Sequence, residues 1–112
     1  MMNLLERFSE TLNNYQRHGW QLRRVLLRPE SRAELEASIE TLFAGASVHE
    51  STVNALWFAR TSHMGREAWE LRLMAQPPYA LFETFEEDET EEEREEVRTE
   101  MEARLREYAN RV

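Results

Sequence analysis

The chain of 112 residues has no cysteine, no lysine and a single aspartate, Asp88. Without cysteine there are no disulfides, thiolate nucleophiles, zinc thiolate sites or iron–sulfur ligands. Without lysine there is no Schiff-base chemistry and no phosphate-loop lysine. One aspartate cannot make an Asp dyad or an EF-hand loop, which needs several acids at fixed offsets. Glycine stands only at positions 19, 45 and 65, which leaves neither a phosphate loop nor a dinucleotide fingerprint. No apolar run approaches the ~20 residues a membrane helix needs. The stretch Met1 to Phe8 mixes Glu6 and Arg7 into a helical pattern, unlike a secretory signal, so cytoplasmic residence is the expectation.

The chain does have 41% hydrophobic residues with three tryptophans, enough for a packed core without covalent staples. A chain of this length buries roughly two-thirds of the surface its unfolded form exposes, so residues 1–112 are expected to form one domain. Its cations are 14 arginines against 22 acids, for a net charge of -8. Residues 1–82 hold nine arginines and nine glutamates, so the whole excess falls in residues 83–112, with five arginines and thirteen acids. Within that end, Glu83 to Glu96 (residues 83–96) carries ten acids against Arg94 alone. Such a block repels a phosphate backbone and argues against nucleic-acid binding. It permits attraction to a basic protein partner. It also reads as the acidic approach to a helix, because Thr90 and Glu93 have capping-box spacing and first-turn glutamates suit the helix dipole.

Three helices are predicted. The first spans about Leu4 to Arg17, with Leu4, Leu5, Phe8, Leu12 and Tyr15 on one face, an Asn3–Glu6 cap and Gly19 as a stop. The second starts at Ser31–Glu34, with Leu35, Ile39, Leu42 and Phe43 as its stripe and Gly45 at its end. The third runs from about Glu91 to Ala109 over Val97, Met101, Leu105 and Tyr108. Its Glu100–Arg104, Glu102–Arg106 and Glu107–Arg111 pairs are spaced for i,i+4 attraction. Strands are predicted over Trp20–Arg28, Val53–Arg60, Glu67–Met74 and Tyr79–Phe85, with His49–Thr52 either extending the second or left as loop. The order α-β-α-β-β-β-α predicts an α+β single domain with a mostly antiparallel four-stranded sheet packed by three helices. The first two strands, joined through the second helix, are candidates for a parallel pair.

Several strands are apolar on both parities: Trp20, Leu22 and Leu26 against Val25 and Leu27, and Trp57 against Leu56 and Phe58. A sheet with one wet face alternates more cleanly. Either the helices divide between both faces, or part of one face meets another subunit. With three helices for two faces, partial covering plus a homodimer contact is the expectation.

Among constellations that carry chemistry, the segment Arg60-Thr61-Ser62-His63-Met64-Gly65-Arg66 stands out as a hairpin loop with two arginines, hydroxyls and a turn glycine. Arg60, Ser62, His63 and Arg66 are the candidate ligand-binding residues, for a carboxylate or phosphate. Turn loops collect such residues for conformational reasons too. His49-Glu50 opens like a zincin motif, but position 53 is valine, so HExxH fails and no metal site is predicted. Gly45-Ala46-Ser47-Val48-His49 lacks the last glycine of a nucleophile elbow. Glu50, Glu67, Glu70 and Glu83 are the carboxylates that could meet on the sheet, although Glu70 near Arg72 and Arg24 reads equally as a cross-strand ion pair. The tryptophans read as core. No catalytic set and no cofactor motif emerges. The residues favour a non-enzymatic protein–protein interaction or regulatory module, homodimeric, over a small anionic-ligand domain or enzyme built on the Arg60–Arg66 loop. Expected partners are protein or a second copy, not nucleic acid or membrane.

Overall fold

The computed structural model describes residues 1–111. The first helix, α1 (Leu4–Arg17), begins where the capping signal places it. The Asn3 side chain accepts from the Glu6 amide at 2.8 Å, and Glu6 returns a bond to the Asn3 amide. After Gly19, at φ +84°, the chain enters β1 (Gln21–Leu27). The predicted second helix is broken into α2 (Pro29–Leu35), a 3-10 turn (Glu36–Ser38) and α3 (Ile39–Phe43). The Ser31 capping box does not form. Proline at the first turn starts the helix earlier, and the Ser31 hydroxyl instead accepts from the Asn54 side-chain Nδ2 at 2.7 Å.

The sheet has five strands, not four, in the order β2-β1-β3-β4-β5. The extra strand is β2 (Ser47–Glu50), parallel to β1; β3 (Ala55–Thr61), β4 (Glu67–Leu73) and β5 (Tyr79–Phe85) follow as an antiparallel meander. The parallel partner of β1 is therefore this short edge strand. The second strand expected from the sequence, here β3, runs antiparallel to β1 on its other side. The chain ends in α4 (Glu91–Arg111), with the Thr90–Glu93 capping box closed at 2.8 and 3.1 Å. Hydrogen bonding to the Glu93 carboxylate from the Thr90 backbone first, and from the Thr90 side chain second, holds it below its usual range.

Helices pack on both faces of the sheet, leaving Ala80 and Phe82 of β5 exposed on the α1 side. Phe8, Leu12 and Tyr15 of α1, with Leu35 and Phe43, pack on Val25, Leu27, Leu56 and Phe58. On the opposite face Met101 and Leu105 of α4 pack on Leu26, Trp57, Trp69, Leu71 and Phe85. The α1 and α4 layers thus divide between the two faces, and β3 is buried through five consecutive residues. No entire face remains for a second subunit, so the sequence pattern that suggested one has an internal explanation. In β1 the mixed parity has a second cause. The register jumps between Leu22 and Arg24, a bulge at Arg23 that moves Val25 and Leu27 onto the α1 side and Leu26 onto the α4 side.

Candidate functional site

The loop singled out from sequence is a tight connection between β3 and β4. It is closed by the Ser62 amide donating to the Arg66 carbonyl at 2.8 Å and contains a 3-10 turn over His63–Gly65. Met64 and Gly65 both have positive φ, 59° and 75°. Its two arginines leave in different directions. Arg60 lies over the Trp20 ring at 4.4 Å and donates to the His18 carbonyl at 3.1 Å. The Arg66 Nε donates to Glu86 at 3.0 Å, and the Glu87 carboxylate sits where a side chain on Gly65 would go. Ser62 and His63 are exposed. The loop arginines are thus separated, and the acidic approach to α4 brings carboxylates of this chain against the loop.

The four glutamates whose meeting on the sheet the sequence left open are divided by the pleat. Glu67 and Glu83 follow the parity of Trp69 toward α4, whereas Glu50 and Glu70 follow that of Leu27 and Phe58 toward α1, and lie on different strands. Glu67 is taken by the Trp69 indole at 2.7 Å and by Arg94 at 3.3 Å. The Glu70–Arg24 ion pair does not form, because the β1 bulge aims Arg24 at the α4 side, where Glu95 accepts two bonds at 2.7 and 3.1 Å. Those bonds are the leading cause that holds the Glu95 carboxyl below its usual range. Glu70 instead accepts the Tyr15 hydroxyl. Burial, and then that carboxylate, push the Tyr15 phenol above its usual value. Asn14, Tyr15, His18, Trp20, Glu70 and Arg72 line a recess of about 210 Å³ there.

A larger cleft of about 600 Å³ opens beyond the carboxyl ends of β1 and β2, between Arg28, Glu30, Glu50 and Arg106. Its arginines have partners, Arg28 on Glu30 and Arg106 on Glu102. His49 meets only the Ser47 hydroxyl, at 3.1 Å, without a carboxylate to orient the ring. Among the described residues no group of three or more metal-binding side chains converges. None of these recesses combines a nucleophile, an oriented base and an oxyanion donor.

The sheet edge at β5 has a different character. The hairpin bonds Ser62–Arg66 and Met74–Asn54 fix which β4 residues bond to β3, and these are the even-numbered ones. Odd-numbered β4 residues therefore bond to β5 through Tyr79, Leu81, Glu83 and Phe85. It follows that the N–H and C=O groups of Ala80, Phe82 and Thr84 point away from the sheet, along its open edge. The Thr84 amide is covered by the Glu83 carboxylate, its acceptor at 3.0 Å. Natural edges are blunted by charged side chains, lysine above all, and by proline, bulges or brevity. Strand β5 is seven residues long, pairs with β4 in unbroken register, has no internal proline and carries one charge, Glu83. At its centre Phe82 is 59% exposed, touching the buried Trp20 ring edge-on at 6.4 Å between centroids. The opposite edge, β2, is only four residues long.

Sequence reading did not find this edge, although a signal exists. Leu73–Phe82 is the longest run in the chain without a charged side chain, ten residues. Comparison with protein families, with curated proteins and with solved structures found no match to this chain.

Proposed function

We propose that this protein is a non-enzymatic interaction module that works by accepting an added β-strand along β5. The observation that carries the reading is the outward row of backbone groups at Ala80, Phe82 and Thr84, beside an exposed phenylalanine on an edge without internal proline or bulge and with Glu83 as its one charge. Strand addition draws affinity from main-chain bonds and specificity from alternate side chains. Phe82 and the Trp20 ring beneath it supply an apolar contact for one such side chain. No contact of the Arg60–Arg66 loop favours the anion-binding alternative, since Arg66 lies on Glu86 and Arg60 on Trp20. No helix among the described residues is long and apolar enough to cross a membrane. A cytoplasmic setting remains part of the proposal.

The test is a display selection of random heptapeptides against the full chain, followed by amide chemical-shift mapping with the recovered peptides. The reading expects shifts confined to β5 and β4, lost in Phe82→Lys. Binders that map to another surface, or none recovered, would overturn it.

A further inference from the structure

We infer that the strand received at this edge is β5 of a second copy, paired antiparallel about a two-fold axis through Phe82. This deepens the strand-addition reading and rests on it. The first argument is register. Phe82 is the midpoint of Tyr79–Phe85, and it is one of the residues whose backbone groups face outward. An axis there sets Phe82 against the partner's Phe82, and Ala80 against the partner's Thr84, each as a narrow pair exchanging two bonds. Every outward N–H and C=O of the strand then finds a partner at once. A register shifted along the strand would leave some of them unpaired.

The second argument is charge. The whole excess of acid lies in residues 83–112, so a contact through this end of the chain sets acid against acid unless its register avoids it. The two-fold β5 register does avoid most of it. Glu83 falls opposite the partner's Leu81, and the acidic turn Glu86–Glu89 falls beside the uncharged turn Gln76–Pro77–Pro78 of the other copy. The two Glu83 carboxylates remain diagonal neighbours, roughly 7–8 Å apart at the backbone. Because Glu83 also covers the Thr84 amide, it opposes pairing twice, by holding a needed donor and by repelling its copy. The third argument is the apolar centre. Phe82 and Ala80, both exposed on the α1 side, become neighbours of their copies.

Sedimentation equilibrium of the full chain over a wide concentration range tests the inference. The expected result is a mass that rises from 13.4 kDa toward twice that value, with tighter association as salt screens the net charge. Glu83→Gln should tighten the dimer several-fold. Phe82→Lys should abolish it, and Thr84→Pro should do the same, since the Thr84 amide is not used by β4 and edge strands tolerate proline. An unchanged far-UV circular dichroism spectrum and a cooperative urea transition would confirm that each variant is folded, and Phe82→Lys, at an exposed side chain, serves if the proline variant is not. A strict monomer at the highest concentration, or a dimer indifferent to Phe82→Lys and to Glu83→Gln, would overturn self-pairing. In the monomeric case, heptapeptides that still map to β5 would leave the strand-addition reading standing.

Discussion

Arg98 offers the sharpest test of how α4 is held. It lies in the middle of the helix with its side chain 1% exposed, its Nε donating to Glu95 at 3.0 Å and its Nη2 to Glu91. The guanidinium lies over Trp69 at 4.4 Å and near Phe85 at 5.6 Å. The two carboxylates are wet, 72% and 48% exposed. This asymmetry decides which partner can be lost cheaply. In Arg98→Met the stem volume stays, a buried charge disappears, and the carboxylates hydrate. The lost cation–π contact, about 0.5–2 kcal/mol, is offset by the desolvation no longer suffered by the cation. The net loss should stay under about 1 kcal/mol. In the double variant Glu91→Gln with Glu95→Gln the cation remains buried without a counter-charge, which costs about 3–5 kcal/mol. Arg24 also loses its partner there, adding up to about 1 kcal/mol. Urea unfolding followed by tryptophan fluorescence measures both, and adding Arg98→Met to the double variant should recover most of its loss. If Arg98→Met alone costs as much as the double variant, the electrostatic reasoning fails.

Tyr15→Phe keeps the stack on Phe58, at 4.0 Å and 6°, but loses the hydroxyl bond to Glu70, for about 1 kcal/mol in the same assay. Because the Tyr15 phenol is raised by burial and by Glu70, its contribution is complete below the ordinary phenol range and lost as pH climbs through the raised value. An absorbance titration of the variant should therefore lose a tyrosine step lying above the ordinary phenol range. For Glu95 the sign is opposite. Its carboxyl is lowered chiefly by Arg24, so the stabilisation is complete above the ordinary carboxylate range and lost as pH falls through the lowered value. Glu95→Gln should flatten the acid limb of a stability–pH curve, and an unchanged limb would contradict this. Arg98→Lys keeps a charge but not the fork, and should cost about 1.5–3 kcal/mol. Arg111→Lys, in an exposed pair with Glu107, should cost less than about 0.5 kcal/mol.

Local signals carried the ends of the chain. Asn3 and Glu6, and Thr90 and Glu93, have capping-box spacing, and both helices start there because the bonds involved lie within four residues of one another. Where the outcome depended on distant contacts the sequence was silent. Ser31 had the right spacing to cap a helix, yet Asn54 claims its hydroxyl, and Pro29 starts the helix two residues earlier. Strand β2 is four residues, exposed except for the half-buried Val48, too short for periodicity, and exists because it pairs with β1. The bulge at Arg23 made the parity of β1 unreadable and sent Arg24 away from Glu70. In α4 the buried stripe is Arg98, Met101 and Leu105, with Arg94 half-buried one turn before. A reader of apolar spacing skips the first two positions of such a face. The β5 edge was hidden for another reason. Which backbone groups face outward depends on the hydrogen-bond phase of both neighbouring hairpins, and side-chain patterns do not encode it.

The missing lysines acquire a physical role where arginines meet aromatic rings, above all in the seam between α4 and the sheet. Arg23, Arg24 and Arg98 all lie over Trp69, Arg94 and Arg98 lie by Phe85, Arg60 lies over Trp20, and Arg72 lies by Tyr15. A planar guanidinium can stack on a ring and still donate in its own plane, whereas an ammonium offers a compact, strongly hydrated point charge. Arg98 does both, lying over Trp69 while bonding Glu91 and Glu95. Arg24 holds Glu95 while lying near the same ring. Acids drawn to this seam are no longer free to spread over the molecule. Glu67, Glu91 and Glu95 all turn toward it. Strand β5 itself carries one charge, Glu83, and runs into the acidic turn Glu86–Glu89. Whatever pairs with that strand must tolerate an acidic neighbourhood while finding a neutral line of contact, and a second β5, offset so that Glu83 meets Leu81, satisfies both conditions.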